Sequence, residues 1–290
     1  TTFSVRTRLI VLAMVPVVGF LANGLTYIAG EDDVGHAFET VDRSHALADA
    51  SRDLKIAIAS IRIAVKDFAR GQNTLLDAFG QSQQLAGKSL DAIETSIGGI
   101  HSEDLVALRQ ELADINQNYK TLHGVQRVLG FSESEGLRQE LRDSGNRIEH
   151  AINNNLTWLA DAEAKKLVMT LLTMRHQEAE YRLHPRDLTE QQFMTGYQNF
   201  IDTFSMIDGT QAMKGSLEAD VQRYVNSFSK WIQGNEQAEP LRALIEIDSQ
   251  NMLPRADAII MSANGAARRA AAALDASQAR TRIGIILAGI

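Results

Sequence analysis

One helix-ending motif occurs twice in the chain, and an internal repeat of this kind constrains the fold more than any other feature. The first copy is Ile61-Arg62-Ile63-Ala64-Val65-Lys66-Asp67-Phe68, and the second is Met174-Arg175-His176-Gln177-Glu178-Ala179-Glu180-Tyr181. The copies align without a gap, so that Arg62 matches Arg175. Turn-forming residues follow both copies, Gly71 after the first and Pro185 after the second. The repeat therefore predicts two similar helical halves, each opening with a helical hairpin.

The composition favours long amphipathic helices. Of the 290 residues, 44% are hydrophobic, only 6% are aromatic and four are proline. This length is enough for two modest domains with buried cores. The net charge of −7, with no clustered basic stretch, argues against nucleic acid as a partner. Because the chain has no cysteine, disulfides and thiol chemistry are excluded.

Apolar residues spaced by four and three positions predict the helices of an all-α fold. In the first half this seam consists of Leu54, Ile58, Ile61, Val65 and Phe68. We expect six helices, of which the third is broken at 130–136 and the last at 234–240. These helices predict two stacked four-helix bundles. The predicted helices cover about 36–70, 74–97, 102–152, 158–183, 189–206 and 211 onwards. The inner bundle is predicted at about 31–130 plus 240–281, and the outer bundle at about 136–235.

An uncharged run of 22 residues, Leu9 to Gly30, suggests a membrane helix. As a helix it would be about 33 Å long, enough to span a bilayer. Arginines precede it and Glu31-Asp32-Asp33 follows it, which places the N-terminus in the cytoplasm by the positive-inside rule. We therefore expect a protein of the bacterial inner membrane. The predicted order is a cytoplasmic N-terminus at 1–8, a transmembrane helix at 9–30, a periplasmic sensory domain at 31–281 and the truncated start of a second transmembrane helix at 282–290.

The repeat predicts a carboxylate in the core of the second half. Superposing the two seams puts Glu178 where the first half has Val65. A buried carboxylate needs a partner, because leaving it unpaired costs several kcal/mol. Arg175, three residues earlier on nearly the same helix face, is the nearest candidate. The pair either satisfies itself structurally or belongs to a ligand site.

Arg62 is the stronger candidate for binding a ligand. It lies on the core side of its helix and has Val65 and Lys66, not carboxylates, three and four residues later. A guanidinium in a bundle interior is suited to bidentate capture of a carboxylate. Further polar residues lie at similar predicted heights, although each could equally be an ordinary packed or surface residue. They are Gln84, Tyr119, His123 and Asn251 near Arg62, and Asn146, Tyr197 and Tyr224 near Arg175.

Signatures of an enzyme are missing from the sequence. The seven histidines include no pair three to five residues apart, as a helical metal site would need. The sequence also lacks a Gly-x-Ser-x-Gly elbow, a phosphate-binding glycine loop and a cysteine nucleophile. We therefore expect neither catalysis nor a metal or cofactor.

With Gly136 to Arg142, Met174 to Tyr181 and the two apolar ends, the chain resembles the helical bimodular ligand-binding domains of bacterial methyl-accepting chemotaxis receptors. The resemblance covers about 31–281. Members commonly carry Met-Arg-Arg-x-Glu-Lys-Asp-Phe, which Arg175 and Glu178 match. The chain departs from this motif at His176, Ala179, Glu180 and Tyr181.

The resemblance implies a periplasmic sensor of small molecules, often organic acids. It further implies a homodimer that acts on cytoplasmic signalling proteins through a helical hairpin outside this chain. In that hypothesis, an anionic metabolite is clamped through Arg62 and displaces the last helix. Two alternatives remain: the sensor of a histidine kinase, and a protein-binding helical bundle with no small ligand.

Overall fold

The computed structural model describes residues 5–68, 75–97, 102–156, 158–209 and 211–288, with only the backbone described for most residues before Val34. Within these ranges the fold is all-α, as the sequence predicts. A short π-helix, Ala151–Asn155, follows the fourth α-helix. The α-helices are α1 (Val5–Phe68), α2 (Leu75–Ile97), α3 (Ser102–Leu129), α4 (Gly136–His150), α5 (Asp161–Leu183), α6 (Asp187–Ser205) and α7 (Gln211–Ala288).

The second hairpin turn lies where the repeat predicts it. Helix α5 ends at Leu183 and α6 begins at Asp187, so that Pro185 lies between them. Asp187 and Glu190 in the first turn of α6 complement the positive end of the helix dipole. The corresponding turn after the first copy, predicted at Gly71, lies outside the described residues.

The predicted break in the third helix is confirmed. Helix α3 ends at Leu129 and α4 begins at Gly136. Gly130 (φ 97°) and Gly136 (φ 58°) adopt left-handed conformations at the two ends of the break. We refer to residues 130–135 as the α3–α4 loop. The positive φ at both ends of this loop explains why both positions are glycine.

The predicted interruption of the last helix at 234–240 is wrong. Helix α7 is continuous, although Pro240 lacks the N–H that would bond to Glu236. Its neighbours Trp231, Ala238 and Ile245 are buried, and their packing offsets the lost hydrogen bond. Helix α1 is likewise continuous and includes both the charge-free run at 9–30 and the helix predicted from about 36.

The predicted location in the inner membrane is also wrong. Among the described residues, no helix combines the length and the apolar character that crossing a bilayer requires.

The helical residues divide into two compact units. Unit 1 comprises Thr1–Ile63, Asp77–Ile115 and Ile247–Ile290, and unit 2 comprises Ala64–Leu76 and Asn116–Glu246. The helices α1, α2, α3 and α7 contribute residues to both.

The core of unit 1 is aliphatic, and ion pairs connect its helices. Leu54, Ile58, Ile61, Ile93, Leu108 and Ile259 are fully buried. Lys55 on α1 pairs with Asp257 on α7 at 2.6 Å. Arg255 on α7 pairs with Asp104 on α3 at 3.1 Å. These contacts join elements that are far apart in the sequence.

The core of unit 2 is aromatic. Phe193 packs on Phe228 with ring centroids 4.2 Å apart, and Tyr181 meets Phe228 edge to face at 5.6 Å. The aromatic residues of α6 lie in this core, where Phe193, Phe200 and Phe204 are fully buried.

The buried seam of the repeat is the same in both copies. The side chains of Leu54, Ile58, Ile61 and Val65 are buried, and so are the matching Leu167, Leu171, Met174 and Glu178. Arg62 and Arg175, which also match, are both half-buried. The aligned register therefore reflects equivalent helix faces.

Candidate functional site

The residues predicted around Arg62 differ in burial and in the unit to which they belong. Gln84 on α2 and Asn251 on α7 are exposed and belong to unit 1, as does Arg62. Tyr119 is buried but belongs to unit 2. Burial raises the pKa of Tyr119 to about 12. Their grouping around Arg62 stays a prediction.

Two of the residues predicted in the second half do meet. Tyr224 on α7 donates a hydrogen bond of 2.5 Å to Oε2 of Glu178 on α5. Asn146, predicted at the same height, is exposed on α4. Tyr197 instead donates a hydrogen bond of 3.1 Å to Gln222 at the surface.

Glu178 lies in the core because of its position in the helix. Leu167, Leu171, Met174, Glu178 and Tyr181 recur at spacings of four and three and form the buried face of α5. Glu178 is only 6% exposed. Burial raises the pKa of its carboxyl group, while Tyr224 and the charge of Arg182 act in the opposite direction.

The ionic partner of Glu178 is not the predicted one. Arg175 pairs with Glu149 at 3.1 Å, and Arg182, four residues after Glu178, places Nε 3.1 Å from Oε1 of Glu178. The N–H of Arg182 Nε does not point at this carboxylate oxygen well enough to form a hydrogen bond, so the contact is an ion pair only. A glutamate four residues before an arginine is the favoured order in a helix, which explains the choice.

Arg182 also holds a second carboxylate. Its Nη1 donates a 2.8 Å hydrogen bond to Oε1 of Glu133 in the α3–α4 loop. The side chain of Arg182 is 20% exposed, whereas that of Glu133 is 55% exposed. Arg182 thus connects a buried carboxylate with one that water reaches.

Arg138, on the first turn of α4, is the second guanidinium of this region. Its Nε is buried and has no hydrogen-bond partner among the described residues. Burial lowers the pKa of Arg138, and the positive charge of nearby Arg182 lowers it further. A buried donor left without an acceptor costs about 1–3 kcal/mol.

The α3–α4 loop places Glu133 beside these arginines. The amide of Gln126 donates a 3.0 Å hydrogen bond to the carbonyl of Gly130, and the N–H of Glu135 donates to the carbonyl of Ser132 at 3.3 Å. Phe131 is buried and stacks near His123 at 5.6 Å. The loop is therefore anchored on both sides of Glu133 while the carboxylate itself stays accessible.

We refer to Arg138, Arg182, Glu133, Glu178 and Tyr224 as the arginine cluster. It combines two partly buried positive charges with two carboxylates, which suits the binding of an anion. Among the described residues, no three His, Asp or Glu side chains lie together as a metal site would need.

Sequence reasoning missed Arg138, Arg182 and Glu133. Two signals could have found the arginines. Arg182 follows Glu178 by four residues, and Gly136-Leu137-Arg138 is echoed by Pro240-Leu241-Arg242. Arg242 also has a buried Nε without a hydrogen-bond partner among the described residues. No comparable signal in the sequence indicates Glu133.

A second concave feature lies within unit 1. This groove of about 530 Å³ is formed by α1 and α7. His36, Arg269 and Arg280 line it and are exposed, and most of its remaining lining is alanine. It offers no buried polar group, so the arginine cluster is the better candidate site.

The chain was also compared with known proteins. It matches no protein-family model and none of the curated proteins.

Proposed function

We propose that this chain is the ligand-binding region of a sensory protein that responds to a small organic acid. The observation that carries the proposal is the buried Nε of Arg138, which lacks an acceptor and lies close to the charge of Arg182. In this proposal each unit is a four-helix bundle, and the chain is related to the helical bimodular domains of chemotaxis receptors.

The carboxylate of a ligand would remove the energetic cost of leaving the buried Nε of Arg138 without an acceptor. An anion supplies the acceptor that Arg138 lacks and offsets the repulsion between two guanidinium groups. Arginine suits this role because its planar, always charged group binds carboxylates in a bidentate manner. A small organic acid is therefore the ligand class that fits best.

The arginine cluster also provides a route from binding to signalling. Tyr224 of the cluster belongs to α7, an unbroken helix that continues to Ala288. A ligand that binds one position of α7 more tightly than another shifts the population of those positions. As the resemblance implies, the output would pass through a homodimer to signalling proteins.

Calorimetric titration with acetate, propionate, succinate and malate tests the proposal, with chloride at equal ionic strength as the blank. Arg138→Gln should weaken binding at least about tenfold, because a hydrogen bond to a charged group is lost. Arg142→Gln, an exposed arginine of the same helix that pairs with its neighbour Asp143, is the matched control. Arg62→Ala tests the clamp predicted from sequence. Absence of binding by every acid, or equal effects of Arg138→Gln and Arg142→Gln, would contradict the proposal.

A further inference from the structure

Glu133 already presents a carboxylate to the arginine cluster. Its Oε1 accepts the 2.8 Å hydrogen bond from Nη1 of Arg182, on the solvent side of that guanidinium. The other side of Arg182 faces Glu178, which is 8% exposed as a side chain. The water-accessible position on Arg182 is therefore filled by a side chain of the protein itself.

The charges of the arginine cluster indicate how many carboxylate groups its ligand carries. Arg138 and Arg182 carry two positive charges, which Glu178 and Glu133 together balance in their ionised forms. Replacing Glu133 by one external carboxylate keeps this balance, whereas a second carboxylate on the same ligand would place an extra negative charge near Glu178. Charge matching therefore favours monocarboxylates.

The position of Glu133 in the chain allows such a replacement. It lies in the six-residue α3–α4 loop, between glycines with positive φ at both ends. Its side chain is more than half exposed, and Arg182 is the only ion-pair partner it has among the described residues. Releasing this carboxylate breaks one ion pair and leaves the buried anchors of the loop in place.

We propose that Glu133 is a tethered stand-in for the ligand. A small monocarboxylate of the acetate or propionate type displaces it from Arg182 and also accepts a hydrogen bond from Nε of Arg138. This inference rests on the proposed function, because it assigns the position and class of the ligand at the same site. When the ligand carboxylate replaces the Glu133 carboxylate on Arg182, the α3–α4 loop loses its ion pair with α5.

A tethered competitor lowers the apparent affinity for the ligand. Only the fraction of molecules in which Glu133 has left Arg182 binds the ligand, so the apparent Kd equals the intrinsic Kd divided by that fraction. An ion pair of this exposure contributes modestly, and its removal should tighten binding roughly two- to fivefold. The predicted direction, tighter binding after loss of a protein side chain, is opposite to that expected for a residue that holds the ligand.

The test is calorimetric titration of the full chain with acetate and with succinate, at constant ionic strength set with chloride. Glu133→Gln should bind acetate roughly two- to fivefold more tightly than the native protein. Glu135→Gln, an exposed glutamate of the same loop, is the matched control for a general change in charge and should leave the affinity unchanged. Circular dichroism melting of each variant establishes that it is folded.

The outcomes separate this inference from the proposed function. If the native chain binds acetate but Glu133→Gln does not tighten binding, the tethered stand-in is ruled out while the function stands. Equal tightening in Glu135→Gln also rules it out, since the effect is then general electrostatics. Binding of succinate in preference to acetate overturns the monocarboxylate assignment. If neither acid binds the native protein or Glu133→Gln, this inference fails, and the proposed function fails with it when propionate and malate also do not bind.

Discussion

The carboxyl group of Glu178 is buried because the helical period places it there, and its neighbours stabilise it. Position 178 falls on the same face of α5 as Leu171 and Met174, which are fully buried. Tyr224 and Arg182 then supply the donor and the charge that a buried carboxylate requires. The burial was predictable from the repeat, but these partners depend on side-chain directions and on a helix distant in sequence.

Removing the donor should measure how strongly Tyr224 stabilises this carboxylate. Tyr224→Phe is expected to lower the free energy of unfolding by about 1.5–3 kcal/mol, as for a hydrogen bond to a charged group. Tyr197→Phe removes a surface hydrogen bond to Gln222 and should cost about 0.5 kcal/mol or less. Urea denaturation of both variants gives the comparison. Equal costs would show that Tyr224 does not stabilise Glu178.

The stability of the protein should depend on pH through Glu178. Since burial raises the pKa of Glu178 in the folded state, the folded chain binds more protons than the unfolded chain between the ordinary carboxyl pKa and the raised value. Stability contributed by this group is then present at low pH and decreases as the pH rises through that window. Glu178→Gln, which does not titrate, should remove this decrease relative to the native protein. Parallel curves of unfolding free energy against pH from 4 to 8 would contradict the assignment.

At the scale of elements, the α3–α4 loop depends on its glycines. A Cβ at Gly136 would lie 2.5 Å from the carbonyl oxygen of Val128, and φ is +58°. Gly136→Ala should therefore destabilise the protein by at least about 2 kcal/mol. Gly124→Ala within α3 meets nothing within 4 Å and should stabilise it by about 0.5–1 kcal/mol. Thermal unfolding measures both, and equal signs would contradict the loop conformation.

Local sequence signals predicted some elements well and others poorly. The bounds of α2, α5 and α6 follow from apolar spacing and turn residues, because these local signals mark where each of the three helices begins and ends. The continuity of α7 was not predictable in this way. Gly234 and Pro240 signal a break locally, but burial of Trp231 and Ile245 on either side stabilises the helix. The pairing of Arg182 with Glu133 was missed because the two residues are 49 positions apart.

At the scale of the whole molecule, each unit has its own core. Phe193 is fully buried against Phe228 in unit 2, and Phe193→Ala should cost about 3–5 kcal/mol. Hydrogen exchange should then show faster exchange for amides of unit 2, while those around Ile58 in unit 1 keep more of their protection. A uniform loss of protection over 34–288 would indicate a single cooperative unit instead.

The division of the chain also dictates how its gene can be recombined. Residues 116–246 supply most of unit 2, whose other segment is Ala64–Leu76, and we call them the cassette. The boundaries of the cassette at 115/116 and 246/247 fall inside the unbroken helices α3 and α7. One residue added at either junction would rotate the remainder of that helix by about 100°. A chimaera that exchanges the cassette must therefore preserve helical phase at both junctions, or the apolar stripe beyond each one turns toward water.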